Sequence, residues 1–526
     1  LNRTWKERGR FATKRLIGFF SKHPAETLLV ALILIVISLV PRLLLPGWDV
    51  SPNGVDEGIQ IMAGRMYSTG YELYSQVNTV QPPIMLSLYG ALGADHISYR
   101  LLSVLCSMVI IGLVMWGAHR IGGKNVMIAS GAFLVMDIVF LQESRLASLD
   151  MFSLMWVAAS IPFVILFRER GRTWPLIVAG GLIGISSMTK LFGTIAGGVI
   201  FLLLAADLLA GHSRFSGIGR ALPPKGEHRV RWYHLMAYVL SMVVVVLMVM
   251  SHYGIPQVFE GIVLNQMHRP VQGLTTKLWV LVKYGLPNLF MLICMVPGLK
   301  RTYRTPLGVV VFVTFVYLVY FMAQASTFLH HMIFLSPALT LSAGVGFDIM
   351  IKGSRRLISL PRGFASMSFA LLVFAAAAVG TGFSMEVVER GEPAQYDVAD
   401  IVEANTEEDD FVISGDPLIP YIADRSIPPS VVNVAHVQYP EITSDQLNRT
   451  TVEYGVRCVV LTYRLSEMEG FVDFISEHYV LRYRIRDVLD PDSEDRVDYL
   501  VFLLSEDSTL DEDPGWGSLR EPPRVR

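Results

Sequence analysis

The run LLVALILIVISLV, Leu28 to Val40, decides how this sequence folds. It carries no charge, and LMAYVLSMVVVVLMVM (Leu235 to Met250) is equally apolar. Roughly 18 or more apolar residues in succession read as a membrane span. Buried core helices would account for one or two such runs, but not for a series continuing to about residue 384. Only 17% of the 526 residues are charged, against about 25% in soluble domains. The sequence therefore predicts a polytopic α-helical membrane protein.

The runs place about eleven spans at 25–45, 98–118, 125–142, 149–167, 174–190, 191–210, 232–251, 277–297, 305–323, 331–350 and 364–384. Loops rich in Lys and Arg stay on the cytoplasmic side. With the N-terminus inside, RTWKERGRFATKR, HRIGGK, RERGR, the 211–231 loop, KRTYR and KGSRR all fall there. Residues 46–97, 143–148, 252–276, 324–330 and everything after 385 then lie outside. The first apolar run is too long for a cleavable signal, and no small-residue cleavage site follows it. Cys106, Cys294 and Cys458 are far apart, which argues against a disulfide framework or a CxxC metal site. No basic patch interleaved with aromatics suggests a nucleic-acid partner.

Composition changes near Glu386. FVISGD, RCVVLTY and YLVFLLS read as short buried strands, with EMEGFVDFISEHY as a helix among them. The sequence thus divides into a membrane domain (1–390), a soluble α/β domain outside the membrane (391–505) and a disordered tail (506–526). A sequon, Asn448-Arg449-Thr450, lies on the outer side.

The first outer loop is long for a connector, and long loops tend to be functional. In it Ile59, Met62, Ala63, Met66 and Tyr67 recur at helical spacing, predicting an amphipathic helix on the membrane surface. Asp56 and Glu57 begin that helix, where the N-terminal dipole favours negative charge. Asp137 sits near hydrocarbon, where an ionisable side chain suggests a role. Glu143, Arg145, Asp150, Lys190, His252, His268, Arg269, His330 and His331 fall at the same outer face. Acids and bases gathered at one depth suit a reaction on an anionic, lipid-borne substrate: cations hold the phosphate and a carboxylate takes a proton. Each also has a plainer reading, as helix-start acid, snorkelling lysine or interfacial charge. Adjacent histidines point in different directions on a helix, so His330 and His331 alone make a poor zinc site.

The segment DEGIQIMAGRMYSTGYELYSQVNTVQPPIMLSLYGAL resembles the first extracytoplasmic loop of the GT-C membrane glycosyltransferases. Specifically, it is similar to the branch containing protein O-mannosyltransferases and lipid A aminoarabinose transferases. SRLASLDM, SMTKLFG and HHMIFLSPALTLSAG match further segments of that branch, in order, across residues 50–350. The resemblance implies the GT-C fold and an inverting transfer of sugar from a polyprenyl-phosphate donor, such as dolichyl phosphate mannose. The acceptor would be a protein hydroxyl, glycan or glycolipid at the outer face of the cell membrane. It implies Asp56 as the catalytic carboxylate, Glu57 as its support and Asp150 as the second-loop acid. Lys190, Arg145, His331, His268 and Arg269 become candidates for the donor phosphate, and Gln81, Tyr89 and His330 for substrate positioning. Two departures stand out. Gln81 replaces a basic residue before Pro82-Pro83, and only Pro337 remains of the paired prolines near the tenth span.

Metal use stays open, since Asp56, Glu57 and Asp150 offer oxygen ligands of the kind Mg²⁺ or Mn²⁺ takes. Two other functions compete. A secondary transporter shares the many spans, although transporters place charge near the bilayer midplane and often show inverted repeats. A non-catalytic lipid-binding relative is the other.

Overall fold

The computed structural model describes residues 24–44, 54–93, 95–209, 228, 230–267, 269–357, 364–389, 394–434, 442–486 and 498–505. The basic N-terminal segment, most of the 211–231 loop, His268 and the 506–526 tail lie outside them. The membrane part is built from α1 (Pro24–Leu39), α2 (Gly54–Ser68), α3 (Pro83–Leu92), α4 (His96–Met136), α5 (Ile138–Glu143), α6 (Leu149–Arg170) and α7 (Trp174–Ser187). It continues with α8 (Phe192–Leu209), α9 (Trp232–Tyr253), α10 (Leu274–Gly285), α11 (Leu289–Tyr303), α12 (Gly308–Ala323), α13 (Ser336–Leu357) and α14 (Phe364–Glu389).

Local chemistry sets the ends of these helices. Asp95 caps α4 by accepting from the Ser98 N–H, and Ser148 caps α6 through the Met151 N–H. Pro83 opens α3, where its missing N–H costs nothing. At 1.5 Å per residue, α4 would be about 60 Å long, twice the hydrocarbon thickness. Gly123 divides it with φ 75° and ψ −159°, a conformation that a side chain disfavours, at the basic HRIGGK turn. Asp137 breaks the chain again. Its carboxylate accepts the Phe140 N–H and the hydroxyls of Tyr284 and Ser336, so this buried acid holds α5, α10 and α13 together.

Among the described residues, α4, α6, α8 and α9 are each long and apolar enough to cross a bilayer. Shorter apolar helices stand at other expected spans: Leu28–Leu43, Trp174–Ser187, Gly308–Ala323 and Met367–Val379. Large apolar side chains such as Leu240, Met248, Leu371 and Phe374 face outward, as a lipid solvent allows. The span expected at 277–297 is not one straight helix. Pro287, which lacks an N–H, separates α10 from α11, and the pair bends by 93°. The span expected from 331 begins at Ser336, after a 3₁₀ turn over Leu329–Phe334.

The C-terminal part comprises α15 (Ala394–Ala404), β1 (Val412–Ser414), α16 (Leu418–Ile422), α17 (Ser444–Glu453), β2 (Cys458–Leu461), α18 (Glu469–His478), β3 (Tyr479–Arg486) and β4 (Asp498–Leu504). The sheet order is β1-β2-β4-β3. β1 and β2 run parallel, with Val412 opposite Cys458, and the remaining pairs are antiparallel. β1 and β2 are buried throughout, which explains their unbroken apolar runs. α15 packs on one face with Val398 and Val402, and α17 and α18 cover the other with Leu447, Phe471 and Ile475. The sequon lies within α17 with Thr450 buried, so the folded chain does not present it.

The amphipathic helix of the first loop exists as α2, but its apolar face does not lie on the membrane. Met62, Ala63 and Met66 are buried in one cluster with Leu86, Ile413 and Val431, because the C-terminal part offers a protein surface for them. The approach is close: a Cβ on Gly58 would stand 2.3 Å from the Leu418 backbone nitrogen. Arg65 pairs with Asp424 at 2.7 Å, and the Asn78 amide exchanges hydrogen bonds with the Asn433 backbone.

Candidate active site

Between α2, the neighbouring ends of the bundle helices and the C-terminal part lies a cavity of about 650 Å³. Asp56, Glu57, Gln81, Asp150, Lys190, Arg269, His330 and His331, distant in sequence, all line it.

The two adjacent acids of α2 have different surroundings. Asp56 is exposed, and no described residue bonds to its carboxylate. Glu57 is buried and fully engaged. Arg100 Nε and Nη2 donate to its two oxygens at 2.9 and 2.8 Å, and the Ala147 N–H adds a third bond at 2.8 Å. A helix turns about 100° per residue, so neighbours on it face different environments. Glu57 ties α2 to α4 and to the turn before α6, and thereby holds Asp56 in place.

Asp150 stands in the first turn of α6. Its Oδ2 accepts from Lys190 Nζ at 2.7 Å and lies 3.9 Å from His330 Nε2. Its Oδ1 is buried with no described hydrogen-bond partner. Lys190 occupies the break between α7 and α8, where the Lys190 N–H still bonds the Ser186 carbonyl. Both side chains are mostly buried, so this pair is stronger than a surface one.

His331 departs from a phosphate-binding role. Its ring is enclosed by Phe192, Phe321 and Phe328, and its Nδ1 accepts the Phe328 N–H at 3.3 Å. It caps the 3₁₀ turn. The His330 ring lies 85° to it, in keeping with the expected divergence, and stacks on Phe328. Burial holds His330 below the usual histidine range, with Lys190 and Arg269 adding to this and Asp150 and Asp56 opposing it. Lys277 binds the Met322 and Gln324 carbonyls at the end of α12, anchoring the strand of chain that carries both histidines.

Two sequence candidates lie away from the cavity lining. Arg145 is buried close to Arg42. Tyr89 is enclosed within the bundle, its ring 4.6 Å from Tyr99 and its carbonyl accepting the Tyr99 hydroxyl. His268 lies outside the described residues.

Glu143, grouped with these charges by the sequence, lines the cavity too, and the geometry adds Gln60, Gln395, Asp416, Thr462 and Arg464. Thr462 directly follows β2, and Asp416 stands two residues past the end of β1. Polar residues just past a parallel strand are a recognisable signal, because ligands collect at the carboxyl ends of such strands.

Glu143 is buried and accepts the Ser148 hydroxyl at 2.6 Å. Burial pushes its carboxyl up to about 8, with Asp150 and Asp56 adding and Ser148 and Lys190 opposing. An unfolded glutamate titrates near about 4.3. Between those values the folded chain keeps a proton that the unfolded chain has released, so stability falls as pH rises, by up to about 1.4 kcal/mol per unit. Glu143→Gln imitates the protonated acid and should flatten that slope. Thermal unfolding in detergent from pH 5 to 8 checks this; a variant as pH-sensitive as the parent would refute it.

Two of the three carboxylates offered as metal ligands are already engaged. Both Glu57 oxygens are engaged and Asp150 is paired with Lys190. Among the described residues, no group of three His, Cys, Asp or Glu side chains could hold a metal.

Residues 86–253 match the family model described as dolichyl-phosphate-mannose-protein mannosyltransferase. The fold is similar to that of ArnT from Cupriavidus metallidurans. The structure bound to undecaprenyl phosphate aligns with TM-score 0.59 and 15% identity over 90% of this chain and 97% of that one. The apo structure gives 0.61 and 14% over 91% and 98%. The archaeal oligosaccharyltransferase AglB from Archaeoglobus fulgidus, in complex with an inhibitory peptide and a dolichol-phosphate, gives 0.52 and 13% over 93% and 75%. A sequence search of curated proteins finds no match. The family model matches part of the chain, residues 86–253, and the solved structures show the GT-C fold that the sequence motifs imply.

Proposed function

We propose that the protein transfers a sugar, with inversion, from a polyprenyl phosphate to an acceptor hydroxyl at the outer face of the cell membrane. The observation that carries this reading is the pairing, in one cavity, of an unengaged carboxylate, Asp56, with the buried Asp150–Lys190 pair. Asp56 takes the acceptor proton as the acceptor oxygen attacks the anomeric carbon. The bond from that carbon to the phosphate oxygen breaks, and its electron pair leaves on the phosphate. Lys190, oriented by Asp150, meets the developing charge, and Arg269 lies on the same lining. His330 and Gln81 line the substrate space. In this reading residues 1–390 form the catalytic membrane domain and 391–505 the domain that selects the acceptor. The relatives bound to undecaprenyl phosphate and dolichol-phosphate support a lipid phosphate as the carrier.

The test uses the purified chain in nanodiscs with radiolabelled polyprenyl-phosphate sugars. Acceptor-dependent release of polyprenyl phosphate supports the reading, whereas solute uptake by proteoliposomes without transfer would favour a transporter. Lys190→Gln is expected to lower kcat/KM for the donor by ~100-fold, and Lys190→Arg should restore part of it. Equal activity in all three proteins would remove Lys190 from the site.

A further inference from the structure

We propose that the C-terminal part carries a subsite for a neutral carbohydrate acceptor, formed by Gln395, Asp416 and Thr462 opposite Gln60 of α2. This rests on the glycosyltransferase reading and names the class of its acceptor.

Two features define the place. Asp416 follows the carboxyl end of β1, and Thr462 that of β2. These are the two parallel strands of the sheet, and ligands gather outside the carboxyl ends of parallel strands. Both residues line the cavity that holds Asp56, as do Gln395 and Gln60.

The hydrogen bonding defines the ligand. Asp416 Oδ1 accepts the Leu418 N–H at 3.1 Å, and its Oδ2 accepts Gln395 Nε2 at 2.7 Å. A carboxylate accepts only, so the Gln395 NH₂ must face it and the amide orientation is fixed. Gln395 Oε1 is then left buried with no described partner, and so are Thr462 Oγ1 and Gln60 Oε1. Buried polar atoms are rarely left without a partner. Each of these side chains lines the cavity, and the bond to Asp416 holds the Gln395 amide in that orientation.

Gln395 Oε1 is a pure acceptor and Thr462 Oγ1 a hydroxyl, so the matching ligand offers O–H groups. A phosphorylated or carboxylated acceptor fits poorly. An anionic group would bring only acceptor oxygens to Gln395 Oε1, which needs a donor. The cavity, at about 650 Å³, is within the usual range for small ligands and gives room for a donor headgroup and a sugar unit.

The experiment uses the full chain in nanodiscs saturated with undecaprenyl phosphate, a carrier without sugar. Mannotriose, maltotriose, cellotriose and a Ser/Thr-rich peptide are titrated separately and binding is read by saturation-transfer NMR and calorimetry. At least one trisaccharide should bind, and Gln395→Ala and Thr462→Val should each weaken it about tenfold without changing undecaprenyl phosphate affinity. Thr462→Val keeps the shape and removes a hydroxyl that caps nothing, so it guards against a folding defect. The proposal fails if no trisaccharide binds while undecaprenyl phosphate does, if neither variant weakens binding, or if only the peptide binds. It also fails if the variants weaken mannosyl-phosphoundecaprenol tenfold, which would assign the subsite to the donor's sugar. Sugar binding without any undecaprenyl phosphate binding would instead sink the glycosyltransferase reading.

Discussion

Asp56→Asn is expected to lower sugar transfer by about 10³-fold or more, at the upper end of what a positioned general base supplies. The substitution keeps size and polarity and removes only the ability to take a proton. Asp56 bonds to no described residue, so little structure depends on its charge. The unfolding midpoint and undecaprenyl phosphate affinity should therefore stay close to the parent values. That combination separates chemistry from folding, and single-turnover transfer from labelled donor reads it directly. Near-parental turnover would show that another group takes the proton, Asp150 being the next candidate. Glu57→Gln gives the contrasting result. It weakens the bonds from Arg100 and the Ala147 N–H, so stability falls along with activity.

Arg100→Ala carries the largest expected stability effect. Arg100 and Glu57 are each almost wholly buried, and they meet through two hydrogen bonds. Removing one partner of such a pair leaves an uncompensated charge in a poorly solvated place, which costs about 3–5 kcal/mol. Arg100 also reaches the Tyr396 hydroxyl, so the loss should be felt in the C-terminal part. Thermal unfolding in detergent with limited proteolysis between 394 and 505 measures both effects. The double variant Glu57→Gln/Arg100→Met should recover part of the loss, since it leaves neither charge unpaired. Additive losses in the double variant would show that the pair contributes no coupling.

Much of the membrane architecture was legible because lipid forces apolar length onto each crossing, and runs such as 149–167 and 232–251 reappear as α6 and α9. The bend at Pro287 was less legible, since an apolar run reads the same whether straight or broken. In the C-terminal part β1, β2 and β4 showed as buried apolar runs. β3 was missed: its chain alternates Leu481, Tyr483 and Ile485 with arginines, as a half-exposed edge strand does. At the site, residue types and their common depth suggested Asp56, Asp150 and Lys190. Sequence could not separate Asp56 from Glu57, because their difference lies in Arg100, which is 43 positions from Glu57. Nor could it bring Gln395, Asp416 and Thr462 to the cavity, since that depends on how the C-terminal part docks.

The docking of α2 bears on how this protein could be recombined with others. The apolar face of α2 completes the core under the C-terminal sheet, and its backbone at Gly58 nearly touches Leu418. The interchangeable module is therefore not a contiguous stretch of chain. A chimera that imports a relative's C-terminal segment alone would inherit a mismatched floor, and its α2 would shift with Asp56 upon it. Transplanting the loop that carries α2 together with that segment moves both halves of the joint, and such grafts are the ones expected to remain active.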